Sequence, residues 1–304
     1  MKNIIFISVL AFTTVLFNSC EKVSQPYIII TELDTTLYPG NFYDYESPVF
    51  GENSNTLKNV LIEDFTGHKC SFCPAAAAEA HSIAANNESR VFIASIHASP
   101  SPAGVSDFQK VYQGHYTRDF TTTEGKKIAI YLSSVQGGVV GNPTGAINRL
   151  TSVTGEILRG AVNWSTITQD ALITPLKVNI QAESNYYPET RGLFIHTESK
   201  FLEDVDGEYS IVVYAIQNQI IDWQLVGSVD EEFYHHNDVH IGNVYEGESF
   251  GRGIANGAIT TGSKFQKDFS YKVPEGLTNS DMHFLIYVYD KNSNEILQVI
   301  KHEF

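Results

Sequence analysis

The chain has few cysteines, few basic residues and no long apolar run after its first segment. Three cysteines in 304 residues are too few to build a fold from disulfides, and a chain of this length does not need such cross-links. Twenty Lys and Arg stand against 35 Asp and Glu, which gives a formal net charge of −15. This balance argues against nucleic-acid binding and against electrostatic docking on anionic lipid, because both require clustered basic residues. No later segment is apolar enough for a transmembrane helix.

Signatures of several enzyme classes are also missing. The sequence contains no Walker loop, no dinucleotide-binding glycine fingerprint and no Gly-x-Ser-x-Gly nucleophile motif. Hydrophobic residues make up 42% of the chain and charged residues 18%, which is ordinary for a globular protein and argues against a disordered one. The length predicts two domains of about 150 residues each, or one large domain. We therefore expect a folded acidic protein without a cofactor.

The N-terminus has the features of a bacterial export signal. Lys2 precedes the mostly apolar run Ile4–Phe17, which is shorter than the roughly 17–25 residues that cross a bilayer. Ser19 and Cys20 follow, and a small residue directly before a cysteine resembles a lipoprotein signal. The resemblance implies removal of residues 1–19, lipidation of Cys20 and attachment of the mature chain to a membrane. The alternative is a plain signal peptide with an incidental cysteine.

The rest of the sequence divides into three segments. Residues 20–56 are predicted to form a tether with some extended structure, since Pro and Gly recur there, and Tyr27–Thr31 is a candidate strand. Residues 57–173 mix strands and helices. Residues 174–304 contain short strands bounded by Gly, Asp and Asn, a pattern typical of an antiparallel β-sandwich. The predicted strands of this last segment are 176–180, 192–197, 209–216, 265–273, 283–289 and 296–300. The predicted fold is thus α/β followed by all-β.

The order of elements in residues 57–173 predicts a βαβ unit. Val60–Phe65 has the composition of a buried strand, Ala75–Ala85 is a strong helix former after Pro74, and Arg90–His97 is a second strand. This order implies two parallel strands with a right-handed crossover. The later elements predicted here are a helix over 124–135, a strand over 145–150 and a helix capped by Asn163.

The strongest functional signal is the motif Cys70-Ser71-Phe72-Cys73 between the first strand and the helix. Unpaired amides and the positive end of the dipole at a helix start favour the thiolate form of a nearby cysteine. The spacing also allows a disulfide over one turn, which an oxidising compartment would preserve. A single CxxC is weak evidence, because the pattern also binds zinc, although no second CxxC is present here.

Two further residues complete a pattern. Asp64 lies six residues before Cys70, and Pro143 stands before a predicted strand. With these residues the segment resembles thioredoxin. The resemblance implies a thioredoxin-like fold in which Cys70 is the nucleophile, Cys73 resolves the mixed disulfide and buried Asp64 accepts a proton. It also implies that Pro143 is a cis-proline that faces the disulfide and shapes a substrate groove.

The two residues before the first cysteine, His68 and Lys69, depart from that pattern, since thioredoxins usually have Trp in the position of Lys69. Both side chains could add positive potential at Cys70. Charged loop residues are usually exposed, however, so we expect His68 and Lys69 to be solvated.

Longer stretches resemble a narrower family. They are Glu63–Cys70, Cys73-Pro74, Asn142–Gly145 with Asn148-Arg149, Tyr234–Asn237, and the hairpin that contains Tyr289-Asp290 and Leu297–Val299. Together with the Cys20 signal, they resemble the outer-membrane-protein-28 lipoproteins of Bacteroides-like bacteria. The resemblance implies an outer-membrane lipoprotein with a thioredoxin-like domain and a β-rich C-terminal domain.

A histidine-rich stretch invites a metal interpretation. His236 and His240 would share a face on a strand, but about 13 Å apart, and Gly242 and its neighbours make a helix unfavourable there. Zinc requires three or four converging ligands. We therefore expect no metal and a surface or partly buried polar segment that includes His235.

Two functions are left open by the sequence. The first is thiol–disulfide exchange, with thiols or disulfides of exported proteins as partners and Cys70 and Cys73 as the reacting groups. The second is a surface binding or adhesion lipoprotein, in which the cysteine pair is a static cross-link and the β-rich segment binds an unknown ligand. In both cases the expected location is the outer membrane, reached through lipid at Cys20.

Overall fold

The computed structural model describes residues 32–304, apart from residues 88, 139 and 246. These residues form one compact unit, which is mostly β with a few helices and several antiparallel sheets. The expected export signal over residues 1–19, the lipidation site Cys20 and the candidate strand Tyr27–Thr31 lie outside the described residues.

The described residues contain three α-helices and thirteen strands. The helices are α1 (Cys73–Ala85), α2 (Thr123–Val135) and α3 (Trp164–Leu172), and short 3-10 helices cover Thr35–Leu37, Phe42–Asp44 and Ala161–Asn163. The strands are β1 (Val60–Thr66), β2 (Val91–His97), β3 (Thr144–Ile147), β4 (Val178–Tyr187), β5 (Gly192–Phe201), β6 (Val205–Gln217), β7 (Ile220–Val226), β8 (Val229–His236), β9 (Val239–Asn243), β10 (Arg252–Ile259), β11 (Lys264–Lys272), β12 (Met282–Asp290) and β13 (Ile296–His302).

Local sequence explains where the helices begin. Helix α1 has a proline in its first turn, where the missing amide costs no hydrogen bond, and alanines over most of its length. Helix α2 begins after Thr122, whose side chain accepts a hydrogen bond from the amide of Gly125. The expectation that Asn163 caps α3 is wrong. Its backbone is already helical, and its side chain makes no capping bond, because a 3-10 turn leads directly into the helix.

One eight-stranded sheet runs through the unit. Its strand order is β13-β12-β6-β9-β2-β1-β3, and β10 pairs with β6. Strand β1 is parallel to β2 and antiparallel to β3, as the βαβ prediction requires for the first pair. Strand β9 joins the two parts of the chain, since it pairs with both β2 and β6. The sheet therefore takes strands from residues 57–173 and from residues 174–304, and the boundary between these ranges stays a prediction.

Layers on both faces of the sheet bury its apolar residues. Helices α1 and α3 cover one face at β1 and β2, while α2 packs in the cluster that contains Phe65, Ile96 and Tyr214. A three-stranded sheet, β11-β5-β4, shares a third cluster with β6, β12 and β13. The segment before β1 lies along β4 and β5, where Asn53 donates to the carbonyl of Ile180 at 2.9 Å. A separate hairpin, β7-β8, leaves the sheet and reaches the β1–α1 junction.

Candidate functional site

The two cysteines of the CxxC motif form a disulfide where β1 leads into α1. The amide of Cys70 donates to the carbonyl of Gly67 at 3.0 Å, and the amide of Cys73 donates to that of Cys70 at 3.2 Å. These bonds make a tight turn that ends in the first residue of the helix. Both cysteine side chains are only 1% exposed. The disulfide therefore lies beneath the surface in this conformation.

The carboxyl group of Asp64 lies in the middle layer of the sheet. Asp64 is fully buried in β1, opposite Ser95 of β2 and Gly145 of β3. Neither of its carboxylate oxygens has a hydrogen-bond partner among the described residues. Burial disfavours the charged form, and it raises the pKa of Asp64 from 3.8 to about 7. This carboxyl group can therefore exchange a proton near neutral pH.

A small cavity of about 30 Å³ connects this carboxyl group with the disulfide. Asp64 and Cys73 both line it. The structure thus brings together three of the four residues expected at the site, since Cys70 is bonded to Cys73. Cys20, the expected lipidation site, is not among the described residues.

The fourth expected residue, Pro143, stands directly before β3 and does not line this cavity. The peptide bond between Asn142 and Pro143 is cis, which is the geometry that the resemblance to thioredoxin implies. The side-chain amide of Asn142 donates to the carbonyls of Phe65 and Ala98, each at 2.8 Å. These bonds hold the proline at the end of β1 from which the chain continues to the disulfide.

The β7-β8 hairpin covers the turn that carries the disulfide. The amide of Leu225 donates to the carbonyl of His68 at 2.8 Å, and that of Gly227 donates to Ser71 at 3.1 Å. The buried side chain of Gln224 adds a bond to the carbonyl of Cys70 at 3.2 Å. These contacts join residues more than 150 positions apart, and the sequence contained no signal for them.

The expectation that His68 is solvated is wrong. Its side chain is 1% exposed, and its Nε2 donates to the carbonyl of Lys110 at 2.9 Å. Burial lowers the pKa of His68, so the ring is neutral at pH 7 and adds no positive potential at Cys70. Lys69 is only partly buried, and its ammonium group lies 3.6 Å from the ring centre of Tyr112. Its charge is therefore stabilised by an aromatic face.

A second buried polar group ties β1 to the C-terminal strands. The guanidinium group of Arg149 donates to both carboxylate oxygens of Glu63, each at 2.7 Å. Tyr214 donates to Glu63 at 2.8 Å, and Arg149 donates to the hydroxyl of Tyr287 at 2.8 Å. All four side chains are at most 1% exposed. Both charged residues belong to the stretches that resemble the family, but nothing in the sequence indicated that they pair.

The histidine-rich stretch has no converging set of ligands. His235 is exposed, while His236 and His240 are buried. Nε2 of His240 donates to the side-chain oxygen of Asn243 at 3.0 Å. Among residues 32–304, leaving out the three undescribed positions, no group of His, Cys, Asp or Glu side chains has an arrangement that could hold a metal ion.

The fold and the site define a mostly β protein with a disulfide at the start of a helix, beside a buried carboxyl group. Residues 132–304 match the family model described as Outer membrane protein Omp28, which is more than half of the chain. The protein therefore belongs to the Omp28 family of outer-membrane proteins, and the resemblance noted in its sequence is confirmed. No curated protein matches the chain. Within its described part, no helix is long and apolar enough to cross a membrane.

Several solved structures are similar to this one. HBP35 of Porphyromonas gingivalis has 15% sequence identity and a TM-score of 0.61, over 83% of this chain and 77% of that chain. A protein from Agrobacterium tumefaciens has 14% identity and a TM-score of 0.48, over 80% and 93%. A domain of the outer membrane lipoprotein Omp28 from Porphyromonas gingivalis has 16% identity and a TM-score of 0.26, over 42% and 88%. Of these three, HBP35 shares the fold, and the lower scores of the other two do not establish a common one.

Proposed function

We propose that this Omp28 family member is a lipid-anchored protein of the outer membrane that exchanges thiols and disulfides with exported proteins. The arrangement around the disulfide supports a thioredoxin-like region. Strands β1 and β2 are parallel and joined through α1, and β3 runs antiparallel beside β1 after a cis-proline. In such a region Pro143 would shape the groove that receives the substrate.

The observation that carries this proposal is the cavity that Asp64 shares with Cys73. A structural cross-link needs no proton acceptor, and a buried carboxyl group without partners destabilises a fold. A resolving cysteine does need one, because its thiol must lose a proton before it attacks. With a pKa of about 7, Asp64 can accept that proton and release it again near neutral pH.

The reaction starts from the reduced protein. The Cys70 thiolate attacks a disulfide of the substrate, so one substrate sulfur leaves as a thiolate and the other forms a mixed disulfide with Cys70. Cys73 then gives its proton to Asp64 and attacks Sγ of Cys70, which releases the second substrate thiolate. The substrate is reduced by two electrons, the cysteine pair is oxidised to the disulfide, and an external thiol restores the starting form.

A second candidate function is a binding lipoprotein in which the disulfide only cross-links the turn. The burial of both sulfurs and the hairpin above them favour this alternative. The reduction potential discriminates between the two, since structural disulfides have potentials below roughly −300 mV and exchange-active ones lie above that value.

Reduction of insulin by dithiothreitol tests the proposal directly. Purified protein with Cys20→Ser, which removes the expected lipid, should accelerate insulin precipitation, and the additional change Cys70→Ser should abolish the effect. Ser71→Ala is the matched control, because it alters the same turn and keeps both thiols. Equal, background-level rates for the parent protein and Cys70→Ser would refute the exchange activity and favour the structural disulfide.

Lipid anchoring rests on the apolar run before Cys20, and it is tested separately. The native chain should sediment with outer membranes and gain the mass of a lipid on its first mature residue. Cys20→Ser should release it into the soluble fraction. A membrane-bound Cys20→Ser variant would refute anchoring through this residue.

A further inference from the structure

The cavity below the disulfide is lined by polar side chains that take no part in the proposed exchange reaction as described above. Besides Asp64 and Cys73, its lining includes His97 from the end of β2 and His236 from the end of β8. The two imidazole centres are 5.7 Å apart. Both rings also flank Phe120, at 4.6 Å and 4.7 Å, so an aromatic wall fixes their orientation.

These side chains are buried, and each has at least one polar atom without a partner. Both oxygens of Asp64, both ring nitrogens of His97 and Nε2 of His236 have no hydrogen-bond partner in the described part of the chain. The three residues are at most 5% exposed. Polar groups are almost never buried without hydrogen bonds. The chemistry of this lining therefore favours a small polar molecule as its occupant.

The size and the chemistry of the cavity fit water. A water needs about 10–15 Å³ of such space and two to four polar partners, and the cavity offers about 30 Å³. Burial keeps both histidines neutral by lowering their pKa values, for His236 to about 4. A neutral imidazole has one donor and one acceptor, so His97 can bond to water on each of its nitrogens.

We infer that His97 and His236 hold one or two water molecules against Asp64 and Cys73, and that this water carries the proton between the thiol and the carboxyl group. This inference rests on the proposed exchange reaction. The Cys73 thiol gives its proton to the water, which passes one of its own protons to the carboxylate of Asp64. The resulting thiolate forms the bond to Sγ of Cys70, and the substrate thiolate leaves with the electron pair. His97 and His236 are positioning residues, since neither gains nor loses a proton.

Other titratable groups also border this cavity. Strand β8 adds Tyr234 and His235, α1 adds His81, and all three line the cavity. The remaining charged or titratable groups that act on the two histidines are His68, which acts on both, Arg118 near His97, and Asp222 of β7 near His236. His68, Arg118 and Asp222 do not line the cavity.

Stopped-flow reaction of the reduced protein with Ellman's reagent separates the two steps. Cys70 attacks the reagent and releases one coloured thiolate, and attack by Cys73 on the mixed disulfide releases the second. We expect His97→Leu and His236→Phe to slow the second release about tenfold at pH 7, which is less than the roughly 100-fold minimum for loss of the acid–base group itself, because Asp64 stays in place. The midpoint of the pH profile of this release should move upward. His97→Gln, which can still bond to water, should stay close to the parent rate.

His240→Gln is the matched control, since His240 is equally buried but lies outside the cavity and has its own partner. Its second release should be unchanged. If Cys70 itself does not react in the folded reduced protein, the proposed exchange function fails. If both releases occur and the pH profile of the second is the same in His97→Leu, His236→Phe and the parent, only the inference about the two histidines fails.

A high-resolution crystal structure keeps the inference testable if the apolar variants do not fold. Electron density for water bonded to Asp64 and His97 is the expected result. A dry cavity, a metal ion in it, or rings turned away from Asp64 would overturn the inference.

Discussion

Replacement of Asp64 by asparagine should stabilise the protein. Asp64→Asn keeps the size and shape of the side chain and removes its titration. In the folded protein the carboxyl group is fully buried and has no bonding partner among the described residues. Its ionised form is therefore penalised, whereas in the unfolded chain the same group is hydrated and ionises freely.

The size and sign of the effect follow from the pKa. A rise from 3.8 to about 7 costs the folded state about 4 kcal/mol once the group is ionised, at about 1.4 kcal/mol per factor of ten in proton affinity. Because the folded state binds the proton more tightly, the penalty is absent below the unfolded pKa. It grows as the pH rises and is complete above the folded pKa. Asp64→Asn should therefore raise the free energy of unfolding by about 2 kcal/mol at pH 5 and about 4 kcal/mol at pH 8.

Urea unfolding of the oxidised protein at these two pH values measures the effect. Asp281→Asn serves as the control. Hydrogen bonds from Thr278 lower the pKa of Asp281, so this carboxylate stabilises the fold at pH 8 and its removal should have the opposite sign. A stabilisation by Asp64→Asn that is equal at both pH values, or a loss of stability at pH 8, would refute the reasoning.

Three other predictions concern the surroundings of the site. Glu63→Gln should lower the free energy of unfolding by roughly 3–5 kcal/mol, because it leaves the buried guanidinium group of Arg149 without its counter-charge. A loss below about 1 kcal/mol in urea titrations would contradict this prediction. Gly145→Ala should cost about 1–3 kcal/mol, since a Cβ atom would lie 2.5 Å from the ring of Trp164, and an unchanged thermal midpoint would show that the ring can move. Gln224→Ala should speed reduction of the disulfide by a small phosphine about fivefold, which is the equivalent of the ~1 kcal/mol that the hydrogen bonds of Gln224 contribute. An unchanged rate would show that the hairpin does not limit access of the phosphine to the disulfide.

The βαβ unit is where sequence and structure agree best. Its two strands are buried along their length, and its helix combines alanines with a proline in the first turn. Local composition therefore determines these elements, and their predicted ends differ from the observed ones by two residues at most. Strand β3 ends earlier than predicted, because Asn148 and Arg149 have positive φ angles of 44° and 51°. This backbone turns their side chains towards β1, where Asn148 accepts the amide of Leu61 at 2.8 Å.

The elements that the sequence did not predict depend on distant partners. Strand β8 is exposed along most of its length and contains Asp230, Glu231 and Glu232, which are unfavourable in strands. It forms because it pairs with β7, and the hairpin bonds to the turn at Cys70. The pairing of Glu63 with Arg149 spans 86 positions. Single polar residues in apolar strands carry no information about which partner they meet, so this ion pair requires the fold to be known.

The buried ion pair also sets an order of events for a chain that is synthesised from its N-terminus. Glu63 and Arg149 arrive early, but the hydroxyl groups that complete their hydrogen bonds belong to Tyr214 and Tyr287. Tyr287 lies near the end of the 304-residue chain. Before it is synthesised, burial of the two charged side chains would leave them without all of their hydrogen bonds. The earlier half thus has to wait in an open form for the last strands, and such an intermediate exposes apolar surface that is prone to aggregation.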